Sequence, residues 1–481
     1  MKKSSKLSRR TFIKSTALTT FGISIVPRHV LGKGYIPPSD KLNVAVIGAG
    51  GKGYTDMLHT WNNNTSNITA ICDVDWNQAE AAFKKFPNAK KYKDYRKLLE
   101  NQKDFDAVTI STPDHTHAVI TLAAMQNNKD VYVQKPLTHN IYEARVLTQA
   151  ANKYKIVTQM GNQGASGDGV KTMINWFNKG LIGNVSKVHI WTNRPVWPQG
   201  IKTPTEQPKL IDNLDWDTWV GPASWVDYHP LYHPFKWRGW WNFGTGALGD
   251  MGCHLVDPPY RVLGLGYPTE VESSVGAIFT KDWTPDYYPE SCPPSSRTQL
   301  KFEATEKNPI PVKVEWTDGG LRPFHPDLIP ADHPIGDEDS ANGVIMIGEK
   351  GIMTCGTYGM NPKVYLNSGE IILPEETTKE FNLPENGHHQ LWVDACKDGF
   401  GSKKHKSLTS SFDFAGPLTE SILMGNLAIR SYNLREQTKN GYNYPGRKKL
   451  LWDGNNMKIT NFEAANQFVK REYRDGWSLN L

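Results

Sequence analysis

Short apolar runs and amphipathic stretches alternate along the chain from Lys41 to Met160. Leu42–Ile47 (LNVAVI), residues 68–72, residues 106–110 and Asp130–Val133 (DVYV) are brief and rich in β-branched residues, as strands buried on both faces are. Between them, residues 77–86, the group Tyr95, Leu98 and Leu99, and residues 118–126 carry the spacing of helices. Such regular alternation predicts a doubly wound parallel sheet, with ligands at the carboxyl ends of its strands. After Met160 the pattern changes to further runs at Val185–Trp191, 271–279, 299–302, 312–316 and 343–346, with a helical stretch near 418–430. No run in the region after the N-terminal segment is long enough to span a bilayer, so stable membrane insertion is not expected.

The first strand runs into Gly48-Ala49-Gly50-Gly51-Lys52-Gly53, which fits G-x-G-x-x-G. In a dinucleotide-binding turn, Gly48 would permit the tight bend, Gly50 the approach of a pyrophosphate, and Gly53 close packing of the next helix. The phosphates would sit at that helix's N-terminus, where free N–H groups and the dipole favour negative charge. The second run ends at Asp73, 20 residues after Gly53, where a carboxylate would take the ribose hydroxyls of NAD and repel a 2′-phosphate. Asp75 competes for that role, although Asp73 holds the strand end.

Composition narrows the classes. At 481 residues the chain exceeds one ordinary core, so two domains are expected. Lys and Arg exceed Asp and Glu by 55 − 49 = 6 with no basic run, which argues against nucleic acid as a partner. Five scattered cysteines without a CxxC pair suggest neither a zinc ribbon nor a disulfide framework. The opening segment is basic, contains no acid and carries Arg9-Arg10-x-Phe12-Ile13-Lys14. It resembles a twin-arginine export signal. We assign residues 1–33 to that signal, with cleavage near Gly32 to Gly34, and 34–40 to an N-terminal arm. The protein is thus expected to be periplasmic or otherwise exported. The Rossmann domain is expected over 41–160 and a substrate-binding α/β domain over 161–481.

Three features together resemble the Gfo/Idh/MocA family of glucose–fructose oxidoreductase and inositol dehydrogenase-like proteins, over about Lys41 to Gly276. They are the glycine loop, the Thr112-Pro113…His117 loop followed by Lys135-Pro136, and Gly246-Ala247-Leu248-Gly249-Asp250-Met251-Gly252-Cys253-His254. The last two are similar to the family's E-K-P turn and G-G-x-x-x-D-x-G-x-H helix. The resemblance implies a Rossmann domain followed by an α/β domain with a large, open, mainly antiparallel sheet, whose face often forms an oligomer interface; a homo-oligomer is therefore expected. It implies cofactor contacts at Gly48, Gly50, Gly51, Lys52, Gly53, Asp73, Ser111, Thr112, Pro113, His117, Gln134 and Lys135. Substrate contacts are expected at Asn162, Trp237, Arg238 and His254. Gln134 departs from the family, which usually has Glu there; an amide can still bond a ribose hydroxyl but alters the field at Lys135.

Oxidising a secondary alcohol requires loss of the hydroxyl proton while hydride passes to the nicotinamide. Lys135, at a strand end before Pro136, is placed to stabilise alkoxide charge. Asp250 and His254, four residues apart, share a helix face. His254 is the general acid/base candidate because its ordinary pKa lies near neutrality. Asp250 either positions His254 or holds a second hydroxyl; a purely structural His–Asp pair is the alternative. Residues 191–241 hold eight of the sixteen tryptophans. Aromatic walls suit the C–H faces of sugars, though core or subunit packing is expected to claim more than half of them. Trp237-Arg238 resembles a pair before this helix in some family members, its role open. His229, His233, His388 and His389 are candidates to join Asp250 or His254 as metal ligands, but Pro230 breaks the first pair and no metal is expected.

Outside the cytoplasm there is no obvious pool of free nicotinamide. Export therefore suits an oxidoreductase acting on a sugar or sugar derivative with NAD bound tightly and recycled in one site. A redox-neutral glycosidase or eliminase working through a transient keto-sugar is the first alternative. The glycosidase branch of this superfamily typically lacks the Lys-Pro turn and the D-x-G-x-H helix. A non-catalytic carbohydrate-binding protein is the second, and it would not require Lys135, Asp250 and His254 together.

Overall fold

The computed structural model describes residues 40–374, 387–439 and 441–481. The signal at 1–33 and residues 34–39 of the arm lie outside the described residues.

The apolar runs of the first half become β1 (Leu42–Ile47), β2 (Ser66–Cys72), β3 (Lys90–Tyr92), β4 (Ala107–Ile110), β5 (Asp130–Val133) and β6 (Thr158–Met160). They form one parallel sheet in the order β3-β2-β1-β4-β5-β6, the doubly wound arrangement with a reversal between β1 and β4. The intervening helices are α1 (Lys52–Trp61), α2 (Glu80–Lys85), α3 (Tyr95–Asn101), α4 (Asp114–Gln126) and α5 (Ile141–Tyr154). Two boundaries differ from expectation. The helix expected over 77–86 begins only at Glu80, because the preceding backbone is held elsewhere: Asp75 bridges to Leu214, and Trp76 N–H donates to the Asn213 carbonyl at 3.3 Å. The loop expected over 111–117 ends earlier. Pro113 caps α4 at φ −64°, ψ 153°, and Asp114 places an acid in the first turn, which the helix dipole favours.

The second half adds α6 (Asp168–Asn178), α7 (Trp216–Val220), α8 (Gly246–Leu255), α9 (Asp257–Leu263), α10 (Gly387–Asp398), α11 (Lys403–Lys406) and α12 (Phe412–Tyr432). Its sheet comprises β7 (Val185–Trp191), β8 (Glu270–Val275), β9 (Ser296–Phe302), β10 (Val312–Thr317), β11 (Gly343–Gly348), β12 (Gly351–Cys355), β13 (Lys363–Leu366) and β14 (Ile371–Ile372). A hairpin of β15 (Glu436–Thr438) and β16 (Gly441–Asn443) stands apart, whereas β17 (Leu450–Asp453) and β18 (Lys458–Ile459) extend the sheet. Its order is β14-β13-β12-β11-β7-β10-β9-β8-β17-β18, antiparallel except where β10 pairs with β7. The run expected to reach residue 279 stops at Val275; Phe279 is 57% exposed and enters no core.

The halves are not packed separately. Trp392 and Val393 of α10 join Leu42, Val44, Ala107 and Tyr132 in one cluster, so a helix late in the chain covers a face of the first sheet. No helix among the described residues is long and apolar enough to cross a membrane.

Candidate active site

A cavity of about 600 Å³ opens where β1, β2, β4 and β5 end, bounded by Ile47, Cys72, Ser111 and Gln134. The glycine loop forms one wall. Gly48 has φ +80°, and a Cβ there would sit 2.7 Å from the Ser111 carbonyl; a Cβ on Gly53 would meet the Gly48 oxygen at 2.0 Å. Side chains are excluded at both positions, and the turn stays tight against α1. Gly51 borders the cavity with nothing within 4 Å of its missing Cβ. That leaves open space beside the start of α1, as an anion cradle requires.

Asp73 lies on the wall. One of its oxygens accepts from Ala49 N–H at 2.7 Å and Gly50 N–H at 3.2 Å, and the other from Asp75 N–H at 2.9 Å. Burial raises its pKa against the pull of those amides. Asp75 lies on the same wall, with its carboxylate turned onto His233 Nε2 at 2.7 Å.

Beneath this loop is a hub that sequence reasoning missed. Asp56 of α1 is fully buried and accepts from Lys52 Nζ, Ser111 Oγ (2.9 Å) and Gln134 Nε2 (2.8 Å), with His389 Nε2 at 3.0 Å. Burial pushes its pKa up, but His389 and Lys52 outweigh that and hold it well below the usual carboxylate range. The only signal in the sequence was an acid on the inward face of α1, beside Gly53, Met57 and Thr60. This hub explains why an amide stands at Gln134. A glutamate there would press a second carboxylate against Asp56 and be driven toward protonation.

The chemical end is formed by β5's extension and α8. Lys135 Nζ donates to Asp250 Oδ1 at 2.9 Å and to the Asp250 carbonyl at 2.7 Å, while Arg238 Nε lies 3.5 Å from the same carboxylate oxygen. Burial opposes ionisation of Asp250, yet Lys135 and Arg238 keep its pKa below the ordinary value. His254 is 5% exposed, its Nδ1 has no partner, and its ring meets Tyr358 edge-on at 4.5 Å. Burial, reinforced by the Lys135 charge, lowers its pKa well below the usual imidazole value. Burial thus moves His254 away from its ordinary pKa, and of the two roles expected of Asp250 the positioning of His254 is not seen, since Asp250 is hydrogen-bonded to Lys135.

A second missed residue is Asp114, on the cavity wall and 4% exposed. Burial pushes its carboxyl up to about 7, although it accepts from Thr245 Oγ1 at 2.7 Å. The sequence pattern placed it in a loop, so its burial at a helix start was hidden.

Ser111, Thr112, Pro113, Lys52, Gln134, Trp237 and Arg238 also reach the cavity. Arg238 lies over the faces of Trp237 at 4.2 Å and Phe235 at 4.6 Å. Three expected contacts sit behind the wall instead. Gly53 is under the glycine turn. His117 has its ring nitrogens 2.8 Å from the Thr112 and Pro136 carbonyls and so ties two wall segments together. Asn162, 1% exposed, donates to Asp257 at 3.0 Å. Of the eight clustered tryptophans only Trp219 and Trp237 line the cavity; Trp191, Trp197, Trp216, Trp240 and Trp241 are buried elsewhere and Trp225 is exposed. His233 and His389 are bound to Asp75 and Asp56, and His388 Nδ1 lies 2.7 Å from Ser166 Oγ. Among the described residues no three His, Cys, Asp or Glu side chains form a metal-holding group.

The fold is that of a dinucleotide-binding Rossmann domain followed by an α/β domain with a large mixed sheet. Residues 42–162 match the Gfo/Idh/MocA model described as oxidoreductase family, NAD-binding Rossmann fold, and 169–279 match the same family's C-terminal alpha/beta domain. Both matched stretches are similar to this family, and the first is of its NAD-binding kind. It is 32% identical over 152 residues to inositol 2-dehydrogenase of Salmonella typhimurium, covering 31% of this chain and 45% of that protein. It is 25% identical over 204 residues to an alpha-N-acetylgalactosaminidase of Shewanella oneidensis, covering 37% and 44%. The chain thus spans less than half the length of these curated relatives. The fold resembles levoglucosan dehydrogenase solved with NADH and L-sorbose (16% identity, 81% of this chain and 97% of that one, TM-score 0.55). It also resembles an inositol dehydrogenase homolog of Azotobacter vinelandii solved with NADH and myo-inositol (16%, 79% and 93%, TM-score 0.53).

Proposed function

We propose that this protein is an exported NAD-dependent oxidoreductase that acts on a secondary hydroxyl of a sugar or sugar derivative and recycles a tightly held cofactor. The observation that carries this is the meeting of Lys135, Asp250 and His254 at one end of a dinucleotide-sized cleft. The open cradle at Gly51, the amide-bound Asp73 and the strand-end position of the cavity fit NAD. When bound, the nicotinamide supplies the two-electron acceptor for the alcohol carbon. His254, neutral and buried, has a lone pair for the hydroxyl proton. Lys135, oriented by Asp250, stabilises negative charge on the oxygen left behind. Asp250 lines the cavity with Arg238 beside it, where its carboxylate can accept from a neighbouring hydroxyl. The resemblance of the segment at Arg9-Arg10 to a twin-arginine signal supports export, and Trp283 and Phe324, 97% and 99% exposed, are surfaces a homo-oligomer would cover.

The similarity to alpha-N-acetylgalactosaminidase favours a second reading, redox-neutral cleavage through a keto-sugar. Incubating purified protein with inositols, aldoses and N-acetylhexosaminides, while following both nicotinamide absorbance and aglycone release, separates the two. Lasting reduction by a polyol supports the oxidoreductase. Aglycone release without net reduction supports the glycosidase. Binding of sugars with neither response would mean a carbohydrate-binding protein.

A further inference from the structure

The far end of the cleft, beyond Asp73, is closed by two segments of the second half of the chain. In the first, Asn213 to Asp215 run along the end of β2: Leu214 bridges to Asp75, Asp215 N–H donates to the Val74 carbonyl at 2.9 Å, and Lys93 Nζ donates to the Asn213 carbonyl at 2.9 Å. The second is residues 471–477, which lie outside both family matches. Arg471 Nε donates to Glu143 at 3.0 Å, and Tyr473 Oη donates to the same carboxylate oxygen at 2.8 Å. Arg474 then clips the second segment onto residues 217–222, which follow the first. Its guanidinium donates to the Asp217 carboxylate at 2.7 Å, the Asp217 carbonyl at 3.0 Å and the Gly221 carbonyl at 3.0 Å, while its N–H donates to the Pro222 carbonyl at 3.1 Å. A turn from the Arg474 carbonyl to Trp477 N–H, 3.0 Å long, brings the Trp477 indole onto the cavity wall. Arg96 lies 4.7 Å over that ring and Tyr95 packs 6.3 Å away. A segment anchored by so many bonds is a poor candidate for idle surface, because ordering it costs conformational entropy that some contact must offset.

We propose that residues 471–477, through Trp477, form the outer wall of the cofactor's adenosine end and slow its departure. This rests on the reading of the cleft as a dinucleotide site, since Asp73 marks the ribose and Trp477 lies beyond it on the same cavity. A purine offers an apolar face to such a wall, and contacts of bases with aromatic side chains are energetically substantial. Because Arg474 joins this segment to residues 217–222, the wall is a clasp made of two distant stretches of chain. Release of the dinucleotide then requires that clasp to loosen.

The test is the dissociation rate of NADH from the full-length protein, followed by nicotinamide fluorescence after mixing with excess NAD. Trp477→Ala and Arg474→Ala should each release NADH about tenfold faster or more, with melting temperatures showing that the fold survives. Trp477→Phe should recover slow release, and Phe279→Ala, at an exposed residue outside every core, should match the wild type. Wild-type release rates in both Trp477→Ala and Arg474→Ala would overturn the inference. Failure of the cofactor reading looks different, because the wild type would then show no saturable NADH binding at all. If the Ala variants do not fold, Trp477→Phe against Trp477→Leu decides it: equal release rates would overturn the wall, and faster release from the leucine variant supports it.

Discussion

At the glycine-loop end of the cleft every oxygen of the buried Asp56 carboxylate is engaged, by Lys52, Ser111, Gln134 and His389. At the other end the buried groups are left wanting. His254 Nδ1 has no partner, Asp114 carries a carboxyl pushed up to about 7, and Lys135 and Arg238 share one carboxylate. Asp56, His254 and Asp114 are all buried, so the same low dielectric acts on each with opposite result. Where the network is complete it fixes α1, the glycine turn and α10 in one geometry. Where it is incomplete it stores demand for a proton or a hydroxyl, which substrate can meet. The comparison teaches that in this cleft stability and chemistry are assigned to different clusters, and variants should separate them.

The largest effects should come from the incomplete end. Lys135→Ala and His254→Ala should lower turnover by roughly a hundredfold to ten-thousandfold while cofactor titration and melting temperature stay near wild type. A loss of only a few-fold in either would place the chemistry elsewhere. The complementary break is Asp56→Ala, which strands His389 and Gln134 without their acceptor. Removing one member of such a buried cluster costs about 3–5 kcal/mol, to be read from urea unfolding. Its pH sign follows from the depressed pKa. The stabilisation is present above the ordinary carboxylate pKa and is lost as pH falls through the lowered value.

Asp114 supplies the opposite sign. Because its pKa is raised to about 7 by burial, its share of stability is fully present below the ordinary carboxylate value and is lost as pH rises through about 7. Urea unfolding of wild type should therefore weaken across that window by on the order of 1 kcal/mol per pH unit, and Asp114→Asn should abolish that slope. An unchanged slope would show that Asp114 ionises normally. The smallest effect is expected at Asp73. Asp73→Ala should shrink the preference for NAD over NADP by about tenfold, worth some 1.4 kcal/mol, in a direct binding titration. Tighter NADP binding by the wild type would defeat the assignment.

Much of this was legible in the sequence because it is local. Gly48 to Gly53, Asp73, Lys135 and the Asp250–His254 pair each sit within one strand end or helix, where spacing specifies placement. Depth was not legible. His117, Gly53 and Asn162 follow the expected order along the chain yet lie one layer behind the wall. Asp56, Asp114 and Trp477 gain their roles from partners far away in sequence, such as His389, Thr245 and the residues around Asp217. The clustered tryptophans mislead for the same reason, since composition marks them as one group while packing sends only Trp216, Trp219, Trp237 and Trp240 to one core and scatters the rest.

The most direct test of the account is a single-turnover experiment on protein dialysed free of added cofactor. If NAD stays bound and Lys135, Asp250 and His254 oxidise a hydroxyl, adding a suitable polyol should produce one stoichiometric burst of nicotinamide absorbance. A second, carbonyl-bearing sugar should then return the signal to its starting value. Protein that carries no nicotinamide, or that releases NADH continuously into solution when NAD is supplied, would contradict the claim that this cleft recycles its own cofactor.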